Sequence, residues 1–246
     1  MSTGTDIVNI EQEMEKQALT IANRISAPTG DRIRVTQQKT FKMPDGTEQA
    51  GPIECVIVDF AAAHYYYTTA YSEGDVTPPD CFALGLNAPE LAPSAKALHK
   101  QAENCAVCPQ NQFGTAPNGK GKACRNTRLL ALLPLDATEE TPLQLLSLSP
   151  TAIKAFDDYA AAIARTYRAP PYKVISMIGF DPTASYATLR FGKPRPNPAY
   201  ELAYKRLEEA RARLLVEPDM TVVDQPDTAT KGRVAPRGVV RGGVKR

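Results

Sequence analysis

The chain has 246 residues, 43% of them hydrophobic and 23% charged, with a formal net charge of +2. That supports one large core and excludes a wholly disordered chain, and so small a net charge confines any anion-binding surface to a local patch. No apolar run reaches the ~18–20 residues of a membrane span. The N-terminus carries Asp6, Glu11, Glu13 and Glu15 and lacks the basic start and apolar stretch of a signal peptide, so a cytosolic protein without a membrane partner is expected.

Residues 6–25 place Ile7, Ile10, Met14, Ala18, Ile21 and Ile25 at helical spacing, with Asp6 as N-cap, and SAPTGD at 26–31 ends that helix. Residues 32–43 alternate as a strand, and PDG at 44–46 is a turn. Residues 52–60 read as a mostly buried strand, and a second strand is expected near 65–71. RLLALLPL at 128–135 reads as another. Residues 150–168 read as a helix with Ile153, Phe156, Tyr159, Ala160 and Ile163 on one face. Residues 172–180 and 186–191 suit a hairpin. A last helix is expected over 198–216, with Leu202, Leu207 and Leu214 inward and Glu201 paired with Lys205. The 21 prolines exceed the 15 glycines, which favours short strands and ordered loops over helical bundles.

Five or six strands with one helix between the fourth and fifth suit an α+β, mainly β chain. The form expected is an OB-like Greek-key barrel over residues 31–216 with an inserted subdomain near 78–128; a generic α+β sheet is the alternative. From Val216 onward the pattern is lost. Residues 217–230 hold four acids and no base, residues 231–246 six bases and no acid, and a disordered tail is expected.

Five cysteines in a cytosolic chain point to metal ligands or core residues before disulfides. Cys55 shares a strand face with Ile53 and Ile57 and reads as a core thiol. Cys105 and Cys108 form a C-x2-C pair, with Cys81 upstream and Cys124 downstream. The segments between are rich in Pro, Gly, Asn and Ala and cannot build a core of their own. A structural Zn2+ held by Cys81, Cys105, Cys108 and Cys124, one per chain, would supply the missing order. His99 is the substitute ligand.

Motifs for catalysis are missing. No H-E-x-x-H, G-x-S-x-G or deaminase pattern occurs, and GKGKAC lacks the preceding strand and the Ser/Thr of a phosphate loop. Four thiolates also close a zinc shell against substrate. A non-enzymatic role is therefore expected. Between Lys96 and Arg128 stand six bases and one acid, Glu103. Lys120, Lys122, Arg125 and Arg128 lie beside Cys124, Phe113 follows the C-x2-C pair, and Tyr65, Tyr66, Tyr67 and Tyr71 precede the segment. Aromatic rings beside a basic groove hold single strands without reading sequence.

The motifs PPDCFALG (78–85), CAVCPQNQFG (105–114) and GKGKACRNTRLLALLPL (119–135), and more loosely YKVISMIGF with YATLRF, resemble a group of tailed-phage proteins. Over residues 30–192 the plan is similar to that of zinc-containing single-stranded DNA-binding proteins of phage replication and recombination. That resemblance implies a zinc subdomain within an OB fold, the four cysteines as ligands, the neighbouring lysines and tyrosines as the DNA surface, and single-stranded DNA and phage replication proteins as partners in the host cytoplasm. This chain departs in using four cysteines where better-known members use a histidine, and in ending on a basic rather than an acidic tail. The first rival expectation is a zinc-stabilised interaction protein: a transcription regulator, replisome adaptor or virion component; the second is a nuclease or annealing enzyme.

Overall fold

Residues 53–66 concentrate β-branched and small apolar side chains, as suits a strand covered on both faces. In the computed structural model, which describes residues 31–69 and 77–220, they form the 14-residue centre of an α+β fold. The strands are β1 (Arg32–Val35), β2 (Thr40–Lys42), β3 (Glu48–Ala50), β4 (Ile53–Tyr66), β5 (Cys81–Gly85), β6 (Arg125–Pro134), β7 (Gln144–Leu148), β8 (Val174–Phe180), β9 (Leu189–Phe191) and β10 (Arg195–Pro196). The helices are α1 (Pro150–Thr166), α2 (Tyr200–Lys205) and α3 (Leu207–Leu214). The N-terminal helix expected over 6–25, Tyr71, and the tail from 221 lie outside the described residues.

The sheet runs β10-β8-β4-β6-β7-β1-β2-β3, with β5 added to β4 and β9 to β8. Among the described strands, only β1 and β7 pair in parallel. The start of β4 lies between β6 and β8, and its end lies between β6 and β5. The change of neighbour follows a bulge between Ile57 and Asp59, which bends the strand. The sheet curls into a half-barrel whose two sides touch through side chains. The rings of Phe41 on β2 and Phe180 on β8 lie 4.6 Å apart, and Lys39 Nζ donates to the Ala184 carbonyl at 2.7 Å.

One face of the sheet packs on α1, which contributes Ala152, Phe156, Tyr159 and Ile163 at helical spacing. The Tyr159 hydroxyl meets Ser176 Oγ at 2.7 Å, so this buried polar group is satisfied. The helix starts on Pro150 and stops where Arg168 turns left-handed (φ 49°) before Pro170 and Pro171. The other face carries Val56, Val58, Ala61, Leu129 and Leu133 under α3, whose Leu214 is fully buried.

Several expectations change. The strand expected over 32–43 is a hairpin, broken at Lys39 with φ 61°. The expected strand near 65–71 begins as the end of β4, and β3, β5, β7 and β10 are additional strands. The last helix divides at Arg206, whose guanidinium binds Glu209 and the carbonyls of Glu139 and Thr141. Lys205 forms its ion pair with Glu139 at 2.9 Å, and Glu201 acts on it only as a weaker electrostatic neighbour. The inserted segment is not wholly separate, because β5 belongs to the main sheet. Glu217, the first residue of the expected tail, is tied down by Ser94 Oγ at 2.6 Å and Lys96 Nζ at 2.8 Å. No helix among the described residues is long and apolar enough to cross a membrane.

Candidate metal centre and nucleic-acid interface

The inserted segment has little apolar anchoring beyond Leu91, which packs with Ala62, Ala83 and Cys105. Backbone bonds then organise the cysteines. The Cys105 N–H donates to the Leu91 carbonyl at 2.9 Å, and the Cys124 N–H to the Gln110 carbonyl at 2.8 Å. Asn104 Oδ1 accepts from the Ala106 N–H, turning the chain into the C-x2-C loop. Asn111, 7% exposed, donates to the Cys105 carbonyl at 2.7 Å and accepts from Lys122 Nζ at 3.2 Å.

Cys81, Cys105, Cys108 and Cys124 are each buried to 6–8% exposure, none is in a disulfide, and all four line one cavity of about 10 Å3. That volume is close to the ~10–15 Å3 that one water needs. Burial, reinforced by the neighbouring thiols, pushes Cys105 up to about 11 and Cys124 up to about 12. Such thiols are protonated and inert unless a cation lies among them. Among the described residues, no group of three or more His, Cys, Asp or Glu side chains is placed so that it could hold a metal ion. Cys55 lies elsewhere, in the core beside Ile53 and Ile57, and burial raises its thiol to about 12.

The expected substitute ligand, His99, is not the histidine at the cavity. His99 is 71% exposed at its side chain, pairs with Asp80 at 3.5 Å and does not line the cavity. His64 does line it, is 7% exposed, and its Nδ1 has no partner among the described residues. Burial, with Arg128 and Lys122 nearby, lowers His64 to about 4, so the imidazole is neutral.

The tyrosine run divides by strand alternation. Tyr66 is the register partner of Cys81 and lines the cysteine cavity. Tyr65 is the register partner of Arg125 and packs on the α3 side of the sheet. Tyr67, 43% exposed, lies within electrostatic reach of Arg125, and Tyr65 within reach of both Arg125 and Arg32. Burial raises both hydroxyls above their ordinary value, and the arginines oppose that. On the loop, Phe113 is 80% exposed with Lys122 Nζ 5.1 Å from its ring centre, and Lys120 is exposed. Arg128 does not belong to this surface. Its guanidinium binds Asp157 of α1 through two bonds of 3.0 and 2.9 Å, with its side chain only 13% exposed.

Sequence reasoning missed His64 and Asn111. Position 64 alternates in register with Ala62 and Tyr66, a signal that could have placed its ring with Cys81 once β5 was recognised. It also missed Arg32, Arg34 and Tyr186, which the curl of the sheet brings together from distant segments. No protein-family model, curated protein or solved structure matches this chain.

Proposed function

We propose that the protein binds single-stranded nucleic acid, as a non-enzymatic OB-like domain whose inserted loop is held by one structural zinc. The observation that carries this reading is the start of β6. Cys124 faces the thiol cavity, and the next residue, Arg125, stands exposed beside Tyr65 and Tyr67. Those two rings offer stacking faces and Arg125 a phosphate contact. The curl of the sheet at the β4 bulge supports the OB-like form.

The chemistry of the donor set supports zinc. Four thiols surround a space of atomic size, and an unpartnered neutral imidazole stands in its wall, able to donate to a thiolate. Cys81, Cys105, Cys108 and Cys124 would hold the ion, which would cross-link a loop with almost no core. Asn111 ties the C-x2-C turn to Lys122 and so sets where that cation points. The test is binding of labelled oligo-dT by the full chain at several salt concentrations, with duplex DNA as competitor. Expected is a single-strand preference and a log–log salt slope of about −0.7 per phosphate neutralised. Equal affinity for duplex at moderate salt would reject the reading. A second reading, a zinc-stabilised interaction protein, draws on the exposed Val107 and Phe113 at the tip of the loop, 75% and 80% exposed.

A further inference from the structure

A cleft of about 760 Å3 opens where β1 and the end of β7 face the segment between β8 and β9. Its lining includes Arg32, Arg34, Arg125, Ser147, Ser149 and Tyr186, and no Asp or Glu. The three arginines are exposed, and none has an ion-pair partner among the described residues. That separates them from Arg128, Arg190, Arg195, Arg206, Arg211 and Arg213, each held by a carboxylate. The flanking acids are engaged elsewhere: Asp31 with Arg213 at 3.0 Å and Asp181 with Arg190 at 2.6 Å. Three unneutralised guanidinium groups in one cleft repel one another, and a polyanion relieves that repulsion.

The far wall is fixed in place. Lys39 Nζ donates to the carbonyls of Asp181 at 3.4 Å and Ala184 at 2.7 Å. Thr151 Oγ1 meets Thr188 Oγ1 at 3.1 Å. Between these anchors Tyr186 stands 57% exposed, its ring free to stack. Guanidinium and hydroxyl donors beside one exposed ring match a phosphodiester backbone with an unstacked base. An acidic peptide would use the charges and leave the ring idle.

We propose that this cleft is the track of the bound strand: Arg32, Arg34 and Arg125 contact successive phosphates, Tyr186 stacks a base, and the lysine-rich loop is secondary. This rests on the nucleic-acid reading above and relocates its main contact surface. The experiment compares the full-length protein with Arg32→Gln/Arg34→Gln, Tyr186→Ala and Lys120→Gln/Lys122→Gln, all checked for unchanged melting temperature. Fluorescein-labelled oligo-dT is titrated across a salt series, and oligomers carrying 5-iododeoxyuridine are photo-cross-linked and mapped by mass spectrometry. The arginine pair should flatten the salt slope by about 1.4. Tyr186→Ala should weaken binding roughly five- to 160-fold, the range for one stacked base. The main cross-link should fall on the peptide containing Tyr186. If the cleft variants bind like the parent while the lysine pair loses affinity, the track is wrong and the nucleic-acid reading stands. If polyglutamate competes as well as oligo-dT and depends on Arg32 and Arg34, the cleft is an acidic-peptide site and the proposal fails. If the parent protein binds no oligomer, both fail.

Discussion

The Arg128–Asp157 pair is asymmetric, and that asymmetry can be measured. Arg128 is 13% exposed at its side chain and Asp157 44%. Truncating the aspartate leaves a guanidinium largely out of water without a counter-charge. Breaking a fully buried pair costs ~3–5 kcal/mol and an exposed one ~0–1. With one partner half in solvent, an intermediate loss of about 2.5–3 kcal/mol is expected. Alanine's better helix propensity returns ~0.5 kcal/mol, because position 157 lies inside α1. The net cost of Asp157→Ala is then about 2–2.5 kcal/mol, or roughly 4–10 °C in melting temperature for a domain this size. Arg128→Ala leaves a carboxylate that water can reach and loses mainly the packing of the arginine stem, about 1–2 kcal/mol. Urea unfolding of both variants and the double variant gives the two costs and their coupling. Oligo-dT titration of Arg128→Ala should show an unchanged salt slope. If Arg128→Ala cost more stability than Asp157→Ala, or flattened the slope by a full phosphate, the assignment of Arg128 to the scaffold would be refuted.

Three further outcomes are expected. Protein purified without added metal should contain one zinc per chain, and Cys105→Ser or Cys124→Ser should lose it while Cys55→Ser keeps it; atomic absorption decides, and a metal-free parent protein would sink the zinc proposal. Phe41→Ala removes a fully buried ring from the contact with Phe180 and should cost ~3–5 kcal/mol, with faster hydrogen exchange in β1 and β2. Lowering the pH should destabilise the fold from about 6.5 downward. Unfolded His64 takes up a proton near 6.5, whereas burial lowers the folded ring to about 4, so the unfolded state binds more protons across that window. Below about pH 4.5 carboxylates add to the loss with the same sign. Glu209, lowered chiefly by its bond from Arg206, and Asp181, lowered chiefly by Thr183, stabilise the ionised form in the fold. Thermal melts of His64→Gln should lose the upper limb alone; a melting temperature that rises on acidification would contradict the argument.

What the sequence disclosed follows the range of the interactions involved. The face of α1, the buried runs of β4 and β6, and the core position of Cys55 depend on local periodicity, and they were readable. The grouping of four cysteines was readable because an insert without apolar residues needs some other anchor. The β1–β2 hairpin was not, since RIRVTQQKTFKM alternates through its own turn and only the positive φ of Lys39 interrupts it. Strand β5 was hidden behind its cysteine. The arginine cleft was invisible for a different reason: Arg32, Arg125 and Tyr186 meet only after the sheet has curled, and no spacing in the chain encodes that meeting. Arg128 misled because a basic residue in a basic stretch gives no sign of a carboxylate 29 positions later.

The bulge in β4 fixes which residues meet the thiols and which meet solvent. Ile57 pairs with Leu132 and Asp59 with Ala131, so Val58 is the supernumerary residue. It inverts the odd–even assignment of everything after it. Cys55 and Ile57 point to the α1 side from odd positions, while Phe60, Ala62, His64 and Tyr66 do so from even ones. A strict two-residue repeat from Cys55 would send Tyr65 and Tyr67 into the thiol cavity and turn His64 and Tyr66 outward. Removing Val58 would leave Ile57 and Asp59 as consecutive ladder residues opposite Leu132 and Ala131, so the bend would be lost while both faces kept their residues. Loop residues 114–121 can change in number without any such exchange, because they return to the sheet only at β6. Length is thus free in the loop and quantised in the strand: Val58 can be deleted with both surfaces kept, whereas a regular ladder with Val58 still present would exchange them.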